Sequence, residues 1–187
     1  MSIVTRTGDQ GSTGLMYNRR VVKSHPRVEA YGSVDELNAA IGLARAQAGD
    51  AWLPSHLRAI QQDLVVLMGE LATAPIDAER YVKDGYHLVT PALTARLDAL
   101  VQELEAQKIS YHGWATPGGT LLSAALDIAR TTCRRAERRV YALSEIGEAP
   151  NPEILIFLNR LSDLLWLLAR WTETQAGVVP SPESIKV

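Results

Sequence analysis

The chain has 187 residues, with 19 Lys and Arg against 21 Asp and Glu and a net charge of −2. That length is enough for one domain with a full hydrophobic core, and the slight acidity excludes a general nucleic-acid-binding surface, which needs a basic one. Cys133 is the only cysteine, which excludes a disulfide framework and a Cys-based zinc site.

The first twenty residues are polar and rich in Gly and Thr, unlike a secretory signal, and no apolar run approaches the roughly 20 residues of a membrane span. The expectation is a cytoplasmic protein with no membrane partner. The leader reads Thr5-Arg6-Thr7-Gly8-Asp9-Gln10-Gly11-Ser12-Thr13-Gly14. Its glycines permit close backbone approach, and its hydroxyls and free N–H groups can cradle an anion. No GK[ST] follows and no strand is predicted before it, so it is not a Walker loop. An unconstrained N-terminus is the competing reading. Lys23 is a further candidate phosphate contact or a solvated lysine.

A single Phe and few alternating β-branched residues argue against a sheet. Apolar residues instead recur at three- and four-residue spacings, which predicts an all-α bundle of four to five helices. The first helix is expected over about 26–49, with Val28, Tyr31, Val34, Leu37, Ile41 and Ala44 on its stripe. Pro26 suits its first turn and Gly49 its end, although Ser33 and Glu36 offer a competing start as a capping box. The second spans about 54–73, followed by a loop over 74–89 with no assigned role. The third spans about 91–108, and a loop over 109–118 leads to Pro117-Gly118-Gly119. The fourth spans about 119–146. The fifth, about 153–175, is apolar nearly all round and should be the most buried. Residues 176–187 read as a loose tail. The organisation expected is one domain over 1–187, with 1–25 as an N-terminal loop and 26–175 as the bundle.

The fourth helix carries five arginines and one glutamate in the ten residues 130–139. Arg130, Arg134, Glu137 and Arg138 share one face, because side chains three and four apart on a helix are neighbours. The opposite stripe is Ala125, Ile128, Ala129, Thr132, Cys133, Ala136, Val140 and Leu143. Guanidinium groups match phosphate bidentately and never lose their charge, so the strip is a polyphosphate-site candidate. A solvated basic face is the alternative. Asp35 is either ordinary helix charge or a partner for an arginine of the fourth helix, in the same chain or a neighbouring one. Asn159-Arg160-Leu161-Ser162-Asp163 sets polar groups in the most apolar segment, where burial would require partners. It reads as a ligand-lining patch or a structural network. His25, His56, His87 and His112 lack the Glu-x-x-His pairing of di-iron bundles. Cys133 falls on the core face, and Trp114 lies in a Gly-containing loop just before the arginine helix.

Five of these segments, in this order, resemble the PduO-type ATP:cob(I)alamin adenosyltransferases over about residues 3–172. They are Thr5-Arg6-Thr7-Gly8-Asp9-Gln10-Gly11, Tyr31-Gly32-Ser33-Val34-Asp35-Glu36-Leu37-Asn38, Pro117-Gly118-Gly119, Cys133-Arg134-Arg135-Ala136-Glu137-Arg138 and Leu158-Asn159-Arg160-Leu161-Ser162-Asp163. The resemblance implies an up-and-down bundle of ferritin-like, cobalamin adenosyltransferase-like type, a homotrimer with sites between subunits. The implied activity moves the 5′-deoxyadenosyl group of ATP to cob(I)alamin, giving adenosylcobalamin and triphosphate. The implied ATP contacts are Thr5, Arg6, Thr7, Gly8, Thr13, Lys23, Arg134, Arg135, Glu137, Arg138 and Asn159. The corrinoid side would use Asp35, Trp114, Arg130, Asp163 and Trp166, with Asp35 bridged to Arg130 across a subunit boundary. Asp35, Arg130 and Arg134 would be the catalytic set.

Mg²⁺ is implied on the ATP phosphates, without a protein-only site. An external reductase and a B12-dependent acceptor enzyme are the implied partners. The family often has phenylalanine at the position of Trp114 and another aromatic at Trp166, and an aromatic in the C-terminal segment; residues 176–187 have none. Two other classes compete: a non-catalytic nucleotide- or corrinoid-delivery bundle, and a helical interaction protein whose arginine face docks an acidic partner.

Overall fold

The computed structural model describes residues 4, 6–49, 51–109, 115–148 and 150–178. Pro26 opens the first helix, α1 (Pro26–Gln47), and the His25 Nδ1 accepts from the Arg27 N–H at 3.1 Å, satisfying one of the amides a helix start leaves orphaned. Ala30, Val34, Leu37, Ile41 and Ala44 are wholly buried at helical spacing. The competing start at Ser33 does not occur. The Ser33 hydroxyl donates to the Glu29 carbonyl at 2.8 Å, a bond made inside a continuous helix.

Helix α2 (Trp52–Leu71) follows, and then residues 74–89, which are not the plain loop expected. They hold a 3₁₀ turn at Pro75–Asp77 and a short helix, α3 (Ala78–Lys83). Helix α4 (Pro91–Glu105) begins at a proline, and α5 (Leu121–Glu145) begins with a capping box. There the Ser123 N–H donates to the Thr120 hydroxyl, and the Thr120 N–H to that of Ser123, each at 2.9 Å. In α6 (Pro152–Gln175) the Asn151 side chain caps the Glu153 N–H at 3.0 Å.

Helix α1 packs on α5 and α2, α5 packs on α6, and α6 on α4. One core cluster runs through these five helices. It takes Ala125, Ala129, Cys133, Ala136, Val140 and Leu143 from α5 and most of the leucines of α6. Ile128 departs from the expected stripe and is 53% exposed. Counted at 100° per residue, it lies closer to Arg135 than to Ala129 on the helix. Among the described residues, no helix is long and apolar enough to cross a membrane.

The leader also departs from expectation, because it contains a small sheet. Strand β1 (Ser12–Gly14) pairs antiparallel with β2 (Arg20–Val22), Ser12 opposite Val22 and Gly14 opposite Arg20. Strands this short carry no readable alternation. The connection turns through Tyr17 and Asn18, both left-handed at φ 58° and 59°.

The hairpin is fastened to the end of α2 and to residues 77–84. The Met16 N–H donates to the Ala72 carbonyl at 2.9 Å. Arg19 forks onto Asp77 at 2.7 and 2.9 Å, and this guanidinium holds the Asp77 carboxyl below the usual carboxylate range. The Tyr17 hydroxyl donates to Asp84 at 3.0 Å, with the Arg80 guanidinium 4.1 Å from its ring centre. Burial and then the Asp84 bond push the Tyr17 pKa up to about 12.

Candidate active site

The five arginines of the α5 strip are divided by what stands across from them. Arg135 pairs with Glu36 of α1, and Arg139 with Glu29 at 3.2 Å. Arg130 donates through Nε to Asp127 at 2.9 Å. Arg134 and Arg138 are exposed, and neither has an acidic partner among the described residues. At 100° per residue, Arg134 lies one step from Arg135, enough to turn it away from α1. Two uncompensated guanidinium groups, four residues apart on one exposed face, are what a polyanion requires.

Glu137 lies on the α6 side of that face. Its Oε1 accepts from the Asn159 Nδ2 at 3.3 Å, so the α5 and α6 candidates meet. Asn159 and Asp163 are exposed, and the buried member of the polar run is Ser162, whose hydroxyl donates to the Asn159 carbonyl at 2.9 Å. The premise that the whole run is buried therefore fails. Arg160 pairs with Asp98 of α4. Asp163 and the half-buried Trp166 line a groove of about 370 Å³ between α4 and α6, with Val101, Glu105, Arg160 and Leu167.

Cys133 is sealed in the core and its thiol donates to the Leu158 carbonyl at 3.2 Å. Burial raises its pKa, so it stays a thiol at neutral pH and supplies no nucleophile.

In the leader, the Arg20 Nη2 donates to the Thr7 carbonyl at 2.6 Å and to the Ser12 hydroxyl. The Lys23 N–H donates to the Gly11 carbonyl at 2.9 Å. The Lys23 ammonium lies so close to Gly8 that a Cβ there would stand 3.3 Å from Nζ, which brings Gly8 and Lys23 together. Thr13 sits in β1 opposite Val21. Arg6 holds a left-handed φ of 57°, a conformation that costs a non-glycine residue about 1 kcal/mol or more. Thr5 and Trp114 lie outside the described residues.

Asp35 is exposed on α1, while Arg130 is engaged within its own chain by Asp127. The sequence reading did not find Asp127, which is buried and also accepts from Arg170 Nη2 at 2.8 Å. Nor did it find the roles of Glu29, Glu36 and Arg20. Asp127 had one visible signal: an acid one helical turn before Arg130 on the same face.

The family model for cobalamin adenosyltransferases matches residues 3–172 of this chain. The chain is 40% identical over 177 residues to corrinoid adenosyltransferase PduO of Salmonella typhimurium, covering 94% of itself and 51% of that protein. It therefore spans about half the length of that relative. It is 41% identical over 185 residues to the corrinoid adenosyltransferase of Bacillus subtilis, covering 95% and 90%. A variant PduO-type ATP:corrinoid adenosyltransferase from Lactobacillus reuteri, solved with cobalamin and ATP, matches at TM-score 0.86 and 34% identity over 94% of this chain and 96% of that one. Another variant of that enzyme, with the same ligands, matches at TM-score 0.88 and 33% identity over the full length of both chains.

Proposed function

This chain belongs to the cobalamin adenosyltransferase family, and from that premise we propose that it transfers the 5′-deoxyadenosyl group of ATP to cob(I)alamin, releasing triphosphate. The observation that carries the reading is the pair Arg134 and Arg138, exposed and without acidic partners among the described residues, beside the Glu137–Asn159 contact. Cobalt(I) is itself the nucleophile, so the protein has to bring the ribose 5′-carbon in line and stabilise the charge on the departing triphosphate. Arg134 and Arg138 perform the second task. Asn159 and Glu137 fix the nucleotide from the α6 side, and Lys23 with the amides of Thr7 and Gly8 contributes from the leader. Arg135 belongs to this set only by its place in the strip, since Glu36 already neutralises it.

Mg²⁺ would enter on the ATP phosphates, where Glu137 is the one carboxylate of the strip over residues 130–139 that could turn toward it. Mg²⁺ would supply further positive charge to the leaving group. The corrinoid would be served by Asp163, Trp166, Trp114 and Arg130. Asp35, exposed and unengaged by Arg130 of its own chain, would reach Arg130 of a neighbouring subunit in a homotrimer with sites between subunits. Reduction of the corrinoid would come from an external reductase, with product passing to a B12-dependent enzyme, in the cytoplasm.

The test mixes the full chain with ATP, Mg²⁺ and chemically reduced cobalamin and follows the corrin spectrum. Appearance of an alkylcobalt product is the expected outcome. ATP binding that raises Tm without any alkylcobalt product would instead make the chain a nucleotide carrier.

A further inference from the structure

The ion pair that engages Arg130 does not end with Asp127. Asp127 shares its carboxylate between two guanidinium groups, Oδ1 with Arg130 Nε at 2.9 Å and Oδ2 with Arg170 Nη2 at 2.8 Å. Arg170 is 2% exposed. Its Nη2 also donates to Glu173 Oε1 at 3.0 Å, and its Nε lies 2.8 Å from Glu173 Oε2. Two acids and two bases thus form one charge-balanced chain through the α5–α6 contact.

Two further features touch this chain. The Arg170 guanidinium stands 5.8 Å from the centre of the Trp166 ring, within cation–π range. Gly119 closes on Glu173: a Cβ at that position would lie 2.7 Å from Oε1, so a side chain there would force the Glu173 carboxylate to move. Trp114 is five residues earlier in the sequence.

A buried ionic chain contributes little net stability, because desolvation offsets its attraction, but it fixes direction. Asp127 takes the Nε of Arg130, the inner edge of the fork. Both Nη groups are left without an acceptor among the described residues. A guanidinium held by one edge presents the other edge in a defined plane, which suits bidentate pairing with a second carboxylate.

We infer that Asp127, held by Arg170 and Glu173, is a positioning residue for Arg130: it aims both Nη groups at the neighbouring subunit's Asp35 and ties that orientation to Trp166 and to the turn at Gly119. This rests on the reading that Arg130 serves the corrinoid side. Asp127 itself touches neither substrate.

The experiment measures kcat, KM for ATP, KM for reduced cobalamin and the ATP-induced rise in Tm for Asp127→Asn, Asp127→Glu, Arg130→Ala and the double variant Asp127→Asn/Arg130→Ala. Asp127→Asn should raise the corrinoid KM about tenfold or more while the ATP KM and the Tm rise stay within about twofold of the parent, in line with the cost of losing one charged contact. Asp127→Glu should fall between parent and Asp127→Asn, and the double variant should be no worse than Arg130→Ala. If Asp127→Asn lacks a cooperative unfolding transition, Asp127→Glu carries the test, since it keeps the charge opposite Arg170 but displaces the carboxylate. A parent-like corrinoid KM in the folded variant, equal losses for both substrates, or additive losses in the double variant would overturn the inference. Parent-like corrinoid kinetics in Arg130→Ala would remove the underlying assignment of Arg130 as well. Impairment in Arg130→Ala alone removes only the role of Asp127.

Discussion

Arg134 and Arg135 are adjacent in sequence on the same helix, yet they occupy different electrostatic environments. Arg135 faces α1, where Glu36 neutralises it, and one turn further on Arg139 meets Glu29. Arg134 and Arg138, turned toward the α6 side, meet no acid among the described residues. The difference teaches that a cationic strip is not one site. Packing against an acidic helix converts one half into ordinary inter-helix pairing and leaves the other half with charge to spare for a ligand.

Arg134→Ala is the strongest way to break this contrast. Turnover should fall about 100- to 1000-fold, the usual cost of one donor to developing transition-state charge. The same variant should lose the Tm rise of about 5–10 °C that saturating ATP gives a chain of this size, by mass action on the folded state. Arg138→Ala comes next, with a loss of about one to two orders of magnitude and a weakened ATP-induced rise.

Arg135→Ala and Arg139→Ala sharpen the comparison from the other side. Exposed ion pairs contribute about 0.2–1 kcal/mol, so chemical denaturation should show a loss within that range, and turnover should stay within about threefold of the parent. A collapse of activity in Arg135→Ala equal to that of Arg134→Ala would erase the distinction.

The leader offers a smaller, pH-dependent effect. Arg19 lowers the Asp77 pKa in the folded state, so the stability from this pair is present above the unfolded carboxyl value of about 3.9 and is lost as pH falls through the lower folded value. Hydrogen exchange across residues 12–22 should therefore rise in strong acid before the bundle opens. Asp77→Asn should show that faster exchange already at neutral pH. The smallest effect concerns Cys133: a thiol reagent at pH 8 should leave the native chain unlabelled and take up one equivalent on unfolding, because burial raises the thiol pKa and blocks access.

Much of the fold was legible. Val34, Leu37, Ile41 and Ala44 announce α1 by spacing alone, and each main helix begins and ends within about three residues of its expected position, the largest difference being the end of α4 at Glu105. The loop at 74–89 and the hairpin at 12–22 were not legible, for a shared reason. Their elements are only three to six residues long, and they hold together by pairs such as Arg19 with Asp77, which are far apart in the chain. The polar run of α6 was located, but its exposure was misjudged: a helix apolar nearly all round still has an outer edge, and Asn159 and Asp163 sit on it.

By itself the sequence determined that five apolar-striped helices would pack into one bundle and that one of them would carry a dense guanidinium strip, because helical periodicity is a property of neighbours three and four apart. Tertiary structure alone decided which guanidinium groups remain uncompensated. Glu29, Glu36 and Arg170 reach α5 only after α1 and α6 dock on it, and an ion pair between two helices depends on distance in space, for which separation along the chain carries no information.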